Sequence, residues 1–282
     1  MEEGRPSRTA ERVAERRAAH QVLDVPPVFV DPLAIRVIDP EAAERLERDP
    51  QSFNDSRIAP FLRAAFAVRS RFAEDELARA AARGVSQYVV LGAGFDTFAY
   101  RNPFADLTVF EVDHPATQAL KRYRLDDAAI AIPPTVVFVS IDFAKESLRE
   151  RLQNAGFDAT RPAYFSWLGV VPYLERHEIT ETLAYIASLP AGTVVTFDYG
   201  SDPSSLSDIG KVVFERMAAA VAAAGEPWKT FFTPEDLNGL LRSAGFSAIE
   251  IHGRDELNAR YFAGRTDGLR VGEMTRLAMA TV

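Results

Sequence analysis

A glycine turn and a following aspartate have the spacing of a nucleotide-binding site. Gly92-Ala93-Gly94 comes directly after the apolar run YVVL, and Asp113 ends the later run FEVD, nineteen residues after Gly94. Glycine lets a ligand approach the backbone closely and takes conformations that other residues avoid. An acid about 20 residues after such a turn meets the ribose hydroxyls in dinucleotide-binding proteins, because its carboxylate can accept both hydroxyl protons. The spacing therefore predicts a ribose-binding site.

A second aspartate extends this candidate site. Asp142 follows the next apolar run, TVVFVSI, and precedes Phe143. Its carboxylate could accept a hydrogen bond from an adenine amino group while Phe143 lies against the ring face. Each feature also has an ordinary explanation, since the glycines suit a plain strand–helix turn and both Asp113 and Asp142 suit a helix N-cap. Their occurrence after three successive strands favours a nucleoside site.

The turn also discriminates between two cofactors that contain adenosine. A pyrophosphate is bound by backbone N–H groups in a turn that continues to a third glycine, whereas Phe95-Asp96-Thr97 follow Gly94 here. An acid such as Asp96 is unfavourable beside two phosphates and tolerable beside a sulfonium. The sequence also lacks the Tyr-x-x-x-Lys pair of short-chain dehydrogenases. These features favour S-adenosylmethionine over NAD, and methyl transfer over hydride transfer.

The composition argues against several other kinds of site and partner. The 282-residue chain contains no cysteine, which removes thiol nucleophiles, disulfides, iron–sulfur clusters and zinc ribbons. Its four histidines have no metal-binding spacing, so no metal site is predicted. A net charge of −8 argues against nucleic acid as a partner. The sequence shows no signal-peptide pattern and no run of about 18 apolar residues that could cross a membrane, so we expect a cytoplasmic protein without a membrane partner.

Strand and helix patterns alternate through most of the chain. Seven strands are predicted, at Tyr88–Leu91, Leu107–Val112, Thr135–Ile141, Ala163–Trp167, Thr193–Asp198, Ser247–Ile251 and Thr275–Thr281. Helices are predicted at residues 65–83, 115–131, 143–155, 176–188 and 234–244. Several strands are nearly continuous apolar runs, as in strands covered on both faces. The alternation predicts an α/β fold with a doubly wound, mainly parallel sheet of seven strands.

Two segments lie outside this alternation. Residues 1–62 are mostly helical in pattern, and residues 200–232 begin with a polar loop and continue as an alanine-rich helix. We predict that both cover the carboxyl ends of the strands, as an N-terminal helical cover and as a helical insertion after the fifth strand. The core would comprise residues 63–199 and 233–282, within a single domain spanning residues 1–282.

Three motifs resemble those of one known family. LGAGFDTFAYR, FEVDHP and FSWLGVVPYL resemble the leucine carboxyl methyltransferase-like class I S-adenosylmethionine-dependent methyltransferases, in particular their bacterial branch. RTAERVAERRAAHQ and VRSRFAEDEL extend the resemblance over nearly the whole chain. It implies a Rossmann-like methyltransferase fold, S-adenosylmethionine as the cofactor, and a position for Gly92 close to the methionine part of that cofactor.

The resemblance also implies roles for individual side chains. Asp113 would bind the ribose, and Asp142 and Phe143 would bracket the adenine. Arg69, in the arginine motif before the first strand, would pair with the cofactor carboxylate, a task that suits the bidentate guanidinium. The neighbouring Arg71 is the alternative for this role.

One position departs from the family pattern. Well-studied members carry Glu-Gly after the fourth strand, and the glutamate faces the cofactor, whereas this chain has Leu168-Gly169. A role that needs a carboxylate there is therefore in doubt, and with it a strict transfer of the family's substrate. Ser166 and Trp167 are alternative candidates for lining the site, although Trp167 fits the core equally well.

The acceptor of the methyl group is less constrained by the sequence. Transfer from a sulfonium needs mainly alignment and exclusion of water, and a carboxylate acceptor, unlike a hydroxyl, is already ionised at neutral pH and needs no base. His20, Tyr173 and Tyr199 are candidates for contact with the acceptor, and no catalytic base or oligomeric state is predicted. We therefore predict O-methylation of a carboxylate or hydroxyl on a small molecule. The alternatives are a non-catalytic nucleoside-binding protein and, less favoured, an NAD-dependent oxidoreductase.

Overall fold

The computed structural model describes residues 7–142 and 146–282 and contains the seven predicted strands. They are β1 (Gln87–Leu91), β2 (Thr108–Asp113), β3 (Val136–Ser140), β4 (Tyr164–Trp167), β5 (Val194–Asp198), β6 (Ala248–His252) and β7 (Leu277–Thr281). Each of them overlaps its predicted range. The apolar, β-branched runs thus located every strand correctly.

The strands form one sheet in the order β3-β2-β1-β4-β5-β7-β6. The first five are parallel, while β7 pairs antiparallel with both β5 and β6. The chain winds outward from β1 to β3 and then crosses back to place β4 on the other side of β1. Ligands bind at such a switch point, outside the carboxyl ends of the strands. The prediction of a mainly parallel, doubly wound α/β sheet is confirmed.

Nine α-helices lie between and around the strands within the described residues. They are α1 (Arg8–Leu23), α2 (Pro40–Arg48), α3 (Ala59–Ala82), α4 (Pro115–Asp127), α5 (Leu148–Asn154), α6 (Arg176–Ala187), α7 (Asp208–Ala223), α8 (Pro234–Ala244) and α9 (Arg254–Tyr261). α3 begins earlier than predicted because Pro60 occupies its first turn, where a missing N–H is tolerated. α4 ends earlier than predicted, and Ala129 just beyond it has a positive φ of 50°.

Alternation along β1 explains why the sheet is covered on both faces. Val89 and Leu91 pack in a buried cluster with residues of α5, α6 and α8. Tyr88 and Val90 point to the opposite face and pack with Leu77 of α3. Successive side chains of a strand point to opposite faces, and here both sets are apolar. A strand of this composition is stable only between two helical layers.

The N-terminal helices pack against the turn after β1 and against α4. Ala18 of α1 and Leu46 of α2 share a buried cluster with Phe95, just after β1, and with Leu125 of α4. The helical insertion after β5 is α7. Within residues 7–142 and 146–282, no helix has the length and apolar content needed to cross a bilayer. The described part of the chain also contains no group of three or more His, Cys, Asp or Glu side chains that could hold a metal ion.

Candidate active site

The Gly92-Ala93-Gly94 turn has a backbone conformation that requires glycine. Gly92 and Gly94 have φ angles of +68° and +45°, which residues with side chains rarely adopt. A Cβ atom added to Gly92 would lie 2.3 Å from Cγ2 of Val170, in the segment after β4. The N–H groups of Gly92 and Ala93 both donate to the Val112 carbonyl, at 2.8 and 3.0 Å. The turn therefore lies across the end of β2 and packs closely against the segment that follows β4.

Asp113 is bound to this turn. One carboxylate oxygen accepts from the N–H of Gly94 at 2.5 Å and the other from the N–H of His114 at 2.6 Å. Burial raises the pKa of Asp113, and these two N–H groups act in the opposite direction. Helix α4 is capped by His114, whose Nδ1 accepts from the N–H of Ala116 at 3.2 Å. Asp113 is therefore not the N-cap, and both of its oxygens keep a second lone pair for a ligand.

Asp142 lies at the neighbouring strand end. The chain leaves β3 beside the end of β2, because the N–H of Ile141 donates to the Asp113 carbonyl at 2.9 Å. Asp142 is half-buried there. The N-cap of the described helix α5 is Ser147. The alternative that Asp142 caps a helix beginning near Phe143 involves residues 143–145, which are outside the described residues. Phe143, predicted to lie against the adenine, is outside the described residues.

Arg69 reaches the site from the other side of the switch point. Its Nη1 lies 2.9 Å from Oδ2 of Asp198 at the end of β5, and the other oxygen of Asp198 accepts from the N–H of Gly169, after β4. A Cβ on Gly169 would lie 2.7 Å from Nη2 of Arg69, so this glycine leaves room for the guanidinium. Arg71 instead pairs with Asp75 on its own helix at 2.8 Å. Arg69, and not Arg71, therefore lies at the strand ends of the candidate site. Asp198, which the sequence indicated only as the end of a strand, lies there with it.

A cavity of about 870 Å³ opens beside Arg69. Arg69, Gly169 and Asp198 line it at the ends of β4 and β5, and side chains of α1, α3, α7 and the segment before β7 complete its wall. Gly169 is followed by Val170, which packs on Gly92. The cavity therefore adjoins the glycine turn, with the Gly169-Val170 segment between them.

Two of the three predicted acceptor contacts line this cavity. Tyr173 and Tyr199 do so, and burial raises the pKa of both, that of Tyr199 to about 12. The hydroxyl of Tyr199 is buried and has no hydrogen-bond partner within the described part of the chain. These two tyrosines remain candidates for contact with an acceptor.

His20 has a different environment. Its side chain is buried and does not line the cavity. Nδ1 lies 2.8 Å from Oδ2 of Asp24, and Nε2 accepts from the N–H groups of Val28 and Phe29 at 3.0 and 3.3 Å. Both ring nitrogens are thus used to hold the connector after α1, and the geometry gives no support to a contact between His20 and a substrate.

Trp167 occupies a core position. It is 1% exposed, and its ring centroid lies 6.3 Å from that of Phe197 on β5. Ser166 is also buried, and its Oγ lies 2.7 Å from the Tyr88 hydroxyl. Neither residue lines the cavity, and neither does Leu168, the residue that replaces the family glutamate. Of the two alternatives that the sequence left for Trp167, the structure favours the core.

Asp96 and Thr97, just after the glycine turn, form polar contacts with the N-terminal segment. Asp96 lies 3.7 Å from Nη1 of Arg17 on α1. The hydroxyl of Thr97 donates to Asp31 at 2.7 Å, and the same carboxylate is paired with Arg17 at 2.5 Å. Arg17 of α1 thus lies between Asp31 and the acid inside the turn, a contact that the sequence did not predict. Its signal was the RTAERVAERR motif, for which no role had been inferred.

Known proteins share both the sequence and the fold. The leucine carboxyl methyltransferase family matches residues 10–187. A Bacillus subtilis (strain 168) protein named "Putative S-adenosyl-L-methionine-dependent methyltransferase YktD" is 34% identical over an alignment 295 residues long, gaps included, that covers 97% of each chain. A Mycobacteroides abscessus protein named "Putative S-adenosyl-L-methionine-dependent methyltransferase" is 32% identical over 215 residues, covering 76% of this chain and 68% of that one. The crystal structure titled "putative methyltransferase from Thermobifida fusca YX" has a TM-score of 0.60 at 17% identity, covering 99% of this chain and 96% of that one, and shows the fold alone.

Proposed function

Because this chain belongs to the leucine carboxyl methyltransferase family and is an S-adenosylmethionine-dependent methyltransferase, we propose that it methylates an oxygen atom, of a carboxylate or a hydroxyl, on a small molecule. The observation that carries this proposal is the cavity of about 870 Å³ that adjoins the Gly92 turn. Its volume is within the range of small-molecule sites. Family membership sets aside both the oxidoreductase and the non-catalytic alternative.

The order of side chains along the sheet edge fits S-adenosylmethionine. Asp142 follows β3, Asp113 ends β2, Gly92 follows β1, and Arg69 reaches the ends of β4 and β5, which is also the order of these strands in the sheet. Adenine, ribose, methionine chain and carboxylate follow one another in the cofactor in the same sequence. We propose that Asp142 binds the adenine, Asp113 the ribose and Arg69 the carboxylate, with Gly92 beside the sulfur.

The cavity wall favours a carboxylate over a hydroxyl as the acceptor. The bound cofactor supplies an activated methyl group, so the chain has mainly to orient the acceptor and exclude water. None of the described residues that line the cavity is a histidine, and its three acids are Asp198, Asp255 and Glu273. Each accepts from a neighbour: Asp198 from Arg69, Asp255 from Arg254 and Glu273 from Ser207. An acceptor that arrives already ionised needs no base.

The cofactor assignment is tested by calorimetric titration with S-adenosylhomocysteine. Wild type should bind it, and D113A should bind at least about tenfold more weakly, because hydrogen bonds to a charged group contribute about 1.5–3 kcal/mol. D106A is the matched control, since Asp106 is exposed and precedes β2. Equal affinity in wild type and D113A would overturn the ribose assignment. Binding of NAD in place of S-adenosylhomocysteine would overturn the placement of the cofactor altogether.

A further inference from the structure

The cavity has a charge opposite to that of the chain. Its lining contains three acids and seven arginines, a net charge of +4, whereas the whole chain carries −8. The arginines are Arg12, Arg16, Arg69, Arg216, Arg254, Arg270 and Arg276. Clustered charge of one sign in a cleft raises the local concentration of ligands of the other sign. The cavity is therefore favourable for an anion even though the protein is acidic.

Three of these arginines have no acidic partner among the described residues. Arg12 on α1, Arg216 on α7 and Arg270 before β7 are exposed and form no ion pair within the described ranges. The guanidinium carbon of Arg270 lies 5.8 Å from the centroid of the Phe61 ring. The other arginines are bound to carboxylates or backbone carbonyls of the protein: Arg16 to Asp55, Arg69 to Asp198, Arg254 to Asp255, and Arg276 to the carbonyls of Glu273 and Thr275.

Aromatic side chains form part of the interior of the cavity. Phe214 of α7 lies 5.7 Å from Trp228 and 5.1 Å from Phe231, and these two rings are 6.4 Å apart. Phe61 and Phe66 of α3 also line the cavity. Aromatic and aliphatic walls stabilise a bound apolar group by removing it from water.

We propose that the acceptor is an amphipathic carboxylic acid, whose apolar or aromatic body lies against these rings and whose anionic form is attracted by Arg12, Arg216 and Arg270. The identity of the reaction rests on the proposed function, but this binding does not need the cofactor. In the transfer, a carboxylate oxygen forms a bond to the methyl carbon while the carbon–sulfur bond breaks and its electron pair stays on sulfur. No proton moves, and the product is a neutral ester. The arginines hold an ester less strongly than the acid, which favours release of the product.

The chain's two tryptophans make this binding measurable. Trp228 lines the cavity, whereas Trp167 lies in the core, so W167F keeps one reporter at the site. Energy transfer from Trp228 to 11-(dansylamino)undecanoate would report binding of the probe. Dodecanoate, methyl dodecanoate and dodecyltrimethylammonium would then be compared as competitors. We expect dodecanoate to compete best and to lose affinity as salt is raised, since salt screens exposed charges.

Two double variants test the role of the unpaired arginines. R216Q/R270Q should weaken binding of dodecanoate by roughly three- to thirtyfold, because an exposed ion pair contributes up to about 1 kcal/mol. Binding of the methyl ester should not change. R48Q/R83Q is the control, because Arg48 and Arg83 are also exposed but lie outside the cavity.

The inference is overturned if the acid and the ester compete equally, if the cationic amphiphile competes best, or if R216Q/R270Q and the control bind alike. Titration of the same W167F sample with S-adenosylhomocysteine separates this result from the proposed function. Binding of S-adenosylhomocysteine without binding of the acid would overturn the acceptor class alone. Binding of the acid without S-adenosylhomocysteine would overturn the cofactor placement alone.

Discussion

Replacing Gly92 with alanine will combine two separable effects on stability. The φ of +68° costs an alanine about 1–2 kcal/mol. The new Cβ would also lie 2.3 Å from Cγ2 of Val170, so one of the two segments must move, at about 1–3 kcal/mol. G92A should therefore lose about 2–5 kcal/mol of unfolding free energy and about 4–10 °C in Tm.

Val170→Ala separates the contact from the backbone strain. After Cγ2, the nearest atom to the new Cβ is Cβ of Val170, at 3.6 Å, which is an ordinary contact. The loss of unfolding free energy in the double variant G92A/V170A should therefore be about 1–3 kcal/mol smaller than the sum of the losses in the two single variants. The favourable coupling arises because the second substitution removes the atom that collides with the first.

Two other glycines serve as controls in the same urea and thermal unfolding series. Gly84 has a φ of +92° and open space around its Cβ position. G84A should therefore lose only the unfolding free energy that a positive φ costs an alanine. Gly239 lies inside α8 and also faces open space, so G239A should stabilise the protein by about 0.5–1 kcal/mol. The reasoning is refuted if G92A loses no more unfolding free energy than G84A, or if the losses in G92A and V170A are strictly additive. Either result would mean that Val170 does not pack on the glycine turn, and that the cavity does not adjoin the turn through this residue.

Three further substitutions test the remaining contacts. R69Q should weaken binding of S-adenosylhomocysteine by about tenfold or more in calorimetry, since a charge-assisted pair is lost, while R71Q should bind like wild type. H20A should destabilise the fold by about 2–4 kcal/mol in urea unfolding, because buried hydrogen-bond partners are left unsatisfied, while the affinity for S-adenosylhomocysteine stays within about twofold of wild type. Burial acts to raise the pKa of Asp31, but the charges of Arg17 and Arg101 outweigh it and hold that pKa below its usual value. The stability that Asp31 contributes is therefore complete above the unfolded-state pKa of about 3.9. The difference in unfolding free energy between wild type and D31N, measured in urea, should shrink as the pH falls below about 4. A difference that grows on acidification would contradict this expectation.

The strands and the ends of β1, β2 and β3 could be predicted because their signals are local. Apolar runs mark strands that are buried on both faces, and the parallel alternation then fixes which ends lie together. Gly94 and Asp113 are nineteen residues apart, yet the N–H of the first donates to the second at 2.5 Å. The connection from β1 to β2 contains only a short 3₁₀ turn, Phe98–Tyr100, and the spacing along the chain was enough to assign both residues to neighbouring strand ends.

The cavity, and the ion pairs between the N-terminal helices and the turn after β1, could not be predicted because they join distant parts of the chain. The ion pair of Arg17 with Asp96 and the approach of Arg69 to Asp198 depend on how the helices pack over the sheet. His20 shows the same difficulty. A polar residue in a predicted cover helix looks available to a substrate, whereas its partners are buried N–H groups in the connector that follows.

The most direct test of the account follows the methyl group itself. Purified wild type would be incubated with trideuteromethyl-labelled S-adenosylmethionine and a set of long-chain and aromatic carboxylic acids, the corresponding alcohols and the corresponding amines, with mass spectrometry of the products. We predict label on the carboxylic acids, as methyl esters that base hydrolyses, and loss of this product in D113A. Label on the amines, or on the alcohols in preference to the acids, would contradict the account.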